Sequence, residues 1–414
     1  MSTQFDVPSI DEFEVGGKRV LVRVDINSPL DPVTKAIVDT NRLDKSLPTI
    51  RDLADGGARV VILAHQGDAL DYENFITLAE HAGRLAAGLG RPVAFVDDVA
   101  GPAAREAIAR LADGEVLLLE NVRIYSEEMT TFEDTVQLTP EEMTATYLVR
   151  NLAPLFDLYV NDAFAAAHRR APSLLAFQGL LPAAAGRQLI RELEMLEQVA
   201  GSPARPCVFL LGGLKVSDAF AMLDRALSTG TADQVLTSGV TGEIMLQAGG
   251  HDLGPPSSEF IAGRGLDRYV APARDLLDRF GEQILLPTDL AVEKDGSRHE
   301  LPVTDLPAEE LVIDIGSETI DRYETIVDAA ATVFVNGPAG VYENPLGAEG
   351  TSRLWSAVAR TSALTVIGGG DTVSSAGRFI DISDIDYVST GGGALIRYLG
   401  GQRLPLLDAL QRQD

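Results

Sequence analysis

Val20-Leu21-Val22-Arg23-Val24-Asp25-Ile26-Asn27-Ser28-Pro29 begins as a nearly uninterrupted apolar run and ends in charged and amide side chains before a proline. A short run apolar on both faces reads as a strand of a parallel sheet covered on each side by helices, and the residues that close such a strand stand where open α/β sheets bind ligands. Similar runs recur at Val60-Val61-Ile62-Leu63, Val93-Ala94-Phe95-Val96, Val116-Leu117-Leu118-Leu119 and Leu158-Tyr159-Val160, separated by longer amphipathic stretches. A second series follows at residues 207–211, 234–236, 284–286, 332–335 and 364–367. The expected class is α/β, with strands and helical crossovers alternating in two separate series.

A chain of 414 residues is long for one hydrophobic core, and two domains of roughly 200 residues are the natural division. The pattern predicts two α/β domains with parallel sheets covered by helices, joined by a helix. The expected bounds are 1–183 for an N-terminal domain, 184–200 for the connector, 201–397 for a C-terminal domain and 398–414 for a tail able to pack back on the N-terminal domain. The connector is read as helical from about residue 185 to 200 because Leu189, Leu193 and Leu196 recur at helical spacing among charges.

The composition, 45% hydrophobic and 23% charged, is that of a folded protein. A formal net charge of −27 opposes binding to nucleic acid or to an anionic membrane surface. No stretch reads as a secretion signal or approaches the roughly 20 apolar residues of a membrane span, so a cytoplasmic protein is expected. The single cysteine, Cys207, lies in an apolar run; it reads as a buried side chain without chemistry.

The ends of the first series are polar. Asp25 and Asn27 follow the opening strand, Arg42 comes shortly after, and later strands lead into His65-Gln66-Gly67-Asp68, Glu120-Asn121-Val122-Arg123 and Asn161-Asp162-Ala163-Phe164 through His168-Arg169-Arg170. Arg23, Arg42, Arg123 and Arg169 could each pair with a surface acid, but four arginines at corresponding strand ends of one sheet suggest a basic cluster in an acidic protein. Guanidinium groups pair bidentately with carboxylate or phosphate oxygens, and Asp25 and Asn27 suit a substrate hydroxyl. A small, multiply anionic hydroxy acid is the expected ligand. His65 and His168 lack metal-ligand spacing to a second histidine, which argues against zinc.

In the second series glycine gathers at strand ends: Gly212-Gly213 before Lys215, Asn336-Gly337-Pro338-Ala339-Gly340, Gly368-Gly369-Gly370 before Asp371-Thr372, and Gly391-Gly392-Gly393. Glycine admits positive φ and lets backbone N–H groups approach phosphate, and a following helix adds its N-terminal dipole. Each loop alone is compatible with a tight turn, and none is a P-loop or a dinucleotide fingerprint; together they read as a nucleotide site. Lys215 is the candidate to neutralise a transferring phosphoryl group; Glu343 could accept from ribose hydroxyls and Asp371 could hold magnesium directly or through water, although either acid alone suits a helix-cap or surface role equally well.

These segments, in this order and over nearly the whole chain, resemble the successive signatures of the phosphoglycerate kinase family, with details of its archaeal branch. The resemblance implies the phosphoglycerate kinase fold, with two Rossmann-like three-layer domains: a hinge-bending enzyme whose N-terminal domain binds the acid and whose C-terminal domain binds MgATP or MgADP. It also implies reversible transfer between ATP and the carboxylate of 3-phosphoglycerate, giving 1,3-bisphosphoglycerate and ADP. By position, Asp25, Asn27, Arg42, His65, Arg123 and Arg169 would bind the acid. Gly212, Gly213, Lys215, Asn336, Glu343, Gly368, Gly369, Gly370, Asp371 and Thr372 would bind the nucleotide and its magnesium. Arg42, orienting the carboxylate, and Lys215 would be catalytic. The partners implied are the acid and ATP or ADP, with no nucleic acid or membrane, in a monomer or weak dimer.

One departure stands out. The family pattern His-x-Gly-Arg-Pro is replaced by His65-Gln66-Gly67-Asp68-Ala69-Leu70, and no arginine occurs between Arg59 and Arg84. Three outcomes are open: Asp68 points away while Arg123, Arg169 and Arg170 suffice, a nearby arginine substitutes, or the enzyme is a paralogue acting on a different small acid.

Overall fold

The structure is a computed structural model that describes residues 5–68 and 71–411; Ala69 and Leu70 therefore lie outside it. The chain forms two compact units, one comprising residues up to Glu194 together with those from Arg403 onward, the other Met195–Gln402.

The first unit is built on β1 (Arg19–Val24), β2 (Arg59–Leu63), β3 (Val93–Val96), β4 (Val116–Leu119), β5 (Leu158–Asp162) and β6 (Ala183–Ala185). They form one sheet in the order β3-β4-β2-β1-β5-β6, parallel throughout. Val20, Val22, Val24, Ile62 and Val160 belong to a core that packs beneath the helix Asn41–Asp55 through Leu43, Ile50 and Leu53. In register, Arg23 stands opposite Leu63 on one side and Asn161 on the other. The carboxyl ends of β1, β2 and β5 are thereby level, and the strand order reverses at β1, the place where open α/β sheets leave a crevice.

The second unit carries β7 (Cys207–Leu211), β8 (Gln234–Thr237), β9 (Ile284–Leu285), β10 (Asp289–Lys294), β11 (Ser297–Pro302), β12 (Val312–Ile315), β13 (Thr332–Asn336), β14 (Leu364–Ile367) and β15 (Tyr387–Val388). Its main sheet runs β15-β14-β13-β7-β8-β9, again parallel, while β11-β10-β12 is a separate antiparallel sheet. Here the order reverses at β7, which places the ends of β7 and β13 side by side.

The chain between the two series differs from its sequence reading. Residues 183–185 are the edge strand β6, and the helix that follows is Arg187–Leu196, ending in a π-helical turn, Glu197–Gly201. Three consecutive alanines carry no strand signature, so the sequence reading placed the start of the helix too early. What fixes the true start is Asp162: its carboxylate accepts the backbone N–H of Leu189 at 2.9 Å, and a Cβ at Gly186 would overlap it. Burial raises the Asp162 carboxyl to about 7, against the opposing pull of hydrogen bonds from the Thr49 hydroxyl and the Leu189 and Gln188 backbone N–H groups. Further along, the helix Pro405–Leu410 buries Leu406, Leu407 and Leu410 in the first unit, where the Leu406 N–H donates to the Ala167 carbonyl at 3.2 Å. Among the described residues no helix is long and apolar enough to cross a membrane.

Candidate active site

In the first unit, Arg23 lies with no exposed surface at the end of β1. Its Nε–H donates to Ser173 Oγ at 3.1 Å, one terminal N–H donates to the Val24 carbonyl, and the other faces His65 Nδ1 at 3.0 Å. A guanidinium has only donors, so Nδ1 must accept. His65 is then a neutral imidazole with its hydrogen on Nε2. The pKa points the same way: burial and then the charges of Arg23, Arg169, Arg123 and Arg42, in that order, hold it well below the ordinary value. The four guanidinium groups are thus gathered about one imidazole, as the strand ends suggested.

They are not equivalent. Arg42 donates to Asp25 at 3.0 Å and remains about one-third exposed; Asp25 in turn accepts the Asn27 backbone N–H at 3.0 Å. Arg169 is ion-paired with Glu133, both nearly buried, and donates to the Glu128 carbonyl at 3.1 Å. Arg123 is buried with its Nε lacking a hydrogen-bond partner and its guanidinium 5.5 Å from the centre of the Phe75 ring. Burial, then the charge of Arg169, lowers it to about 10. A buried cation so incompletely paired is the strongest standing demand for an anion in this unit.

Behind Arg23 lies a support that the motifs did not reveal. Glu128 accepts the Ser173 backbone N–H at 2.7 Å and the Ser173 hydroxyl at 2.6 Å, and burial raises its carboxyl to about 6 against these bonds and the pull of Arg23. Neither residue sits at a strand end, and their separation of 45 positions left no local signal.

Asn27 and Arg42 line a polar pocket of about 330 Å³ with Gln66, Gly67, Asp68 and Asn74. Asp68 does not point away from it. Its carboxylate accepts Asn27 Nδ2–H at 3.1 Å, while Asn27 Oδ1 accepts the Gly67 N–H at 2.9 Å. Gly67 has φ +100°, and a Cβ there would overlap the Phe75 ring. Asp25, His65, Arg123 and Arg169 stand outside this pocket in the more buried cluster. No arginine replaces the missing one from within the loop; the Arg170 backbone N–H is taken by Glu133 at 3.2 Å.

In the second unit the loops after β7 and β13 interlock. The Gly212 N–H donates to the Asn336 carbonyl and the Gly239 N–H to the Ala339 carbonyl, each at 2.9 Å. Gly337 has φ +89°, and a Cβ on it would run into the Gly212 backbone, so the close approach itself requires glycine. Asn336 Nδ2–H donates to the Gly368 carbonyl at 2.7 Å, and the Gly337 N–H to Thr372 Oγ1 at 2.9 Å, tying in the third loop. The pocket these loops border has a volume of about 300 Å³. Gly213, Lys215, Asn336, Glu343, Gly369, Asp371 and Thr372 line it; Gly212, Gly368 and Gly370 do not, and they shape the loops behind.

Two helices open at this pocket, Val216–Ser228 and Gly370–Phe379, and neither has a side-chain cap on its first turn, so their terminal N–H groups keep capacity for an anion. Lys215 and Asp371, at the two starts, form an ion pair of 3.1 Å with both side chains more than half exposed. Such a pair contributes at most about 1 kcal/mol, so neither side chain is firmly committed to the other. Among the described residues no three acidic, histidine or cysteine groups gather as a metal cage. A single carboxylate beside uncapped helix starts is still compatible with magnesium bound alongside a phosphate, since that ion takes most of its ligands from phosphate and water.

A sequence model of the family described as phosphoglycerate kinase matches residues 10–402. The chain belongs to the phosphoglycerate kinase family. The phosphoglycerate kinase of Methanothermobacter thermautotrophicus is 44% identical over 407 residues, covering 98% of this chain and 97% of that protein, and that of Halobacterium salinarum is 44% identical with 98% and 100% covered. Among solved structures, phosphoglycerate kinase from Pyrococcus horikoshii superposes with a TM-score of 0.86 at 37% identity, covering 98% of each chain. The fold is accordingly that of the family's α/β kinases, and the chain is a kinase of this family.

Proposed function

We propose that this kinase transfers a phosphoryl group reversibly between MgATP and the carboxylate of 3-phosphoglycerate, giving 1,3-bisphosphoglycerate and ADP, with the acid held in the first unit and the nucleotide in the second. The observation that carries the acid site is the set of four arginines acting on one neutral histidine in a protein of net charge −27.

Phosphoryl transfer needs positioning and charge stabilisation more than a protein nucleophile. A carboxylate is already ionised at neutral pH, so no general base is required. Arg42, the most accessible of the four guanidinium groups, orients the reacting carboxylate, with Asp25 fixing its direction at 3.0 Å. Asn27 and the Nε2–H of His65 offer hydrogen bonds to the acid, and Arg123 and Arg169 meet its distal phosphate. Lys215 and the free N–H groups at the start of Gly370–Phe379 stabilise charge on the transferred group. Asn336 and Thr372 hold the loops around the phosphates, and Glu343 accepts from ribose hydroxyls. Magnesium, when bound with the nucleotide, neutralises phosphate charge; Asp371 would hold it directly or through water.

The direct test is incubation with MgATP and 3-phosphoglycerate in the presence of hydroxylamine, which traps an acyl phosphate. Turnover at millimolar substrate is expected, and its absence would overturn the assignment.

A further inference from the structure

The nucleotide pocket has a polar border of glycine loops, Lys215 and Asp371, and an apolar remainder formed by side chains such as Val240, Phe260, Leu290, Val312 and Ile313. Phosphates belong at the first and a flat ring system at the second. Two carboxyl groups stand in the apolar part. Asp314 is fully engaged: it accepts from Arg298 at 2.9 Å, from the Gly350 N–H at 2.7 Å and from the Ile315 N–H at 2.9 Å. Glu243 is not.

Glu243 lies on the helix Gly239–Ala248, one turn beyond the glycine that meets the phosphate loops, and lines the pocket with Val240. It is 6% exposed. Its Oε2 is buried with no hydrogen-bond partner, and neither of its oxygens has an ion pair or hydrogen bond to any described residue. Burial alone pushes the carboxyl up to about 8, which leaves it uncharged at neutral pH. A buried polar group that the fold leaves unsatisfied costs stability unless something else answers it; this one borders the cavity where a base would lie.

We propose that Glu243 reads the nucleobase, pairing its carboxyl with the hydrogen-bonding edge of a purine. An uncharged carboxyl presents one donor and one acceptor side by side, which matches the ring-nitrogen acceptor and amino donor of adenine. The proposal deepens the nucleotide-site reading given above and rests on it.

The test compares ATP with purine riboside triphosphate, which lacks the amino group, as phosphoryl donors to 3-phosphoglycerate in the wild type, Glu243→Gln and Glu243→Leu. The wild type should favour ATP by about ten- to a hundredfold in kcat/KM, the effect of one unmade buried hydrogen bond, and the difference should fall on KM. Glu243→Gln keeps a donor and an acceptor and should retain the preference; Glu243→Leu should abolish it. Removing an unpaired buried carboxyl relieves its desolvation, so the leucine variant should also melt no lower than the wild type, which guards against a folding artefact. A Glu243→Leu enzyme that still prefers ATP as strongly as the wild type would overturn the inference while leaving the pocket a nucleotide site. Failure of wild-type protein to use either nucleotide would instead overturn the proposed function.

Discussion

The two pockets, read as the anion sites proposed above, are built in opposite ways. In the first unit the charge resides in side chains: Arg23, Arg123 and Arg169 are buried or nearly so, Arg23 and Arg169 are positioned by hydrogen bonds or an ion pair, and Glu128 and Ser173 stand behind Arg23. In the second, the backbone supplies the binding surface, with glycines letting three loops interlock and two helix starts left uncapped, while the charged pair Lys215 and Asp371 is exposed. A site built from buried charge couples binding to stability. One built from backbone with charges at its rim keeps the two apart.

That contrast predicts where substitutions will register. Arg23→Ala strands Glu128 and unpicks the Ser173 network; removing one partner of a buried charge network costs about 3–5 kcal/mol, to be read in denaturant unfolding, and an unchanged midpoint would erase the distinction. Lys215→Ala should lower kcat about 10²–10³-fold, the scale for losing one preorganised charge stabiliser, yet leave the melting temperature nearly unmoved because its ion pair is exposed. A large loss of stability in this variant would contradict the second half of the comparison.

Asp162 sharpens the argument within the first unit. Its folded carboxyl is raised to about 7 from 3.8, so between about pH 4 and 7 the folded protein binds a proton that the unfolded chain has released. Stability from this group is present at low pH and falls as pH rises through that window. Asp162→Asn should flatten that slope in unfolding measured from pH 4 to 8. The smallest effect expected is that of Asp68→Arg. Adding a cation to the border of the polar pocket should lower KM for 3-phosphoglycerate about two- to fivefold, as befits an exposed charge. If KM stays put, Arg123 and Arg169 carry the distal phosphate without help from that position.

Most strands of the two main sheets were legible in the sequence because the central strands are covered on both faces, so an apolar run such as Val60-Val61-Ile62-Leu63 announces itself, although the two-residue edge strand β15 is too short to do so. The antiparallel sheet was not: β11, Ser297–Pro302, is polar and largely exposed, and β6 is three alanines. In the sites, what the sequence revealed lay at strand ends, where topology gathers neighbours in a known order. Asp68 was visible as an oddity, but that it holds Asn27 needed coordinates. Glu128, Ser173 and Glu243 sit inside helical or turn segments, and an acid or hydroxyl there is indistinguishable from a surface residue until burial is known.

The tail has a consequence for synthesis. Leu406, Leu407 and Leu410 seal part of the first unit's interior, yet they follow the whole of the second unit along the chain. The half that leaves the ribosome earliest must therefore wait, with an apolar seam uncovered, until the other half has been made. A nascent chain stalled before Pro405 would present that seam to chaperones, however well formed its strands already were.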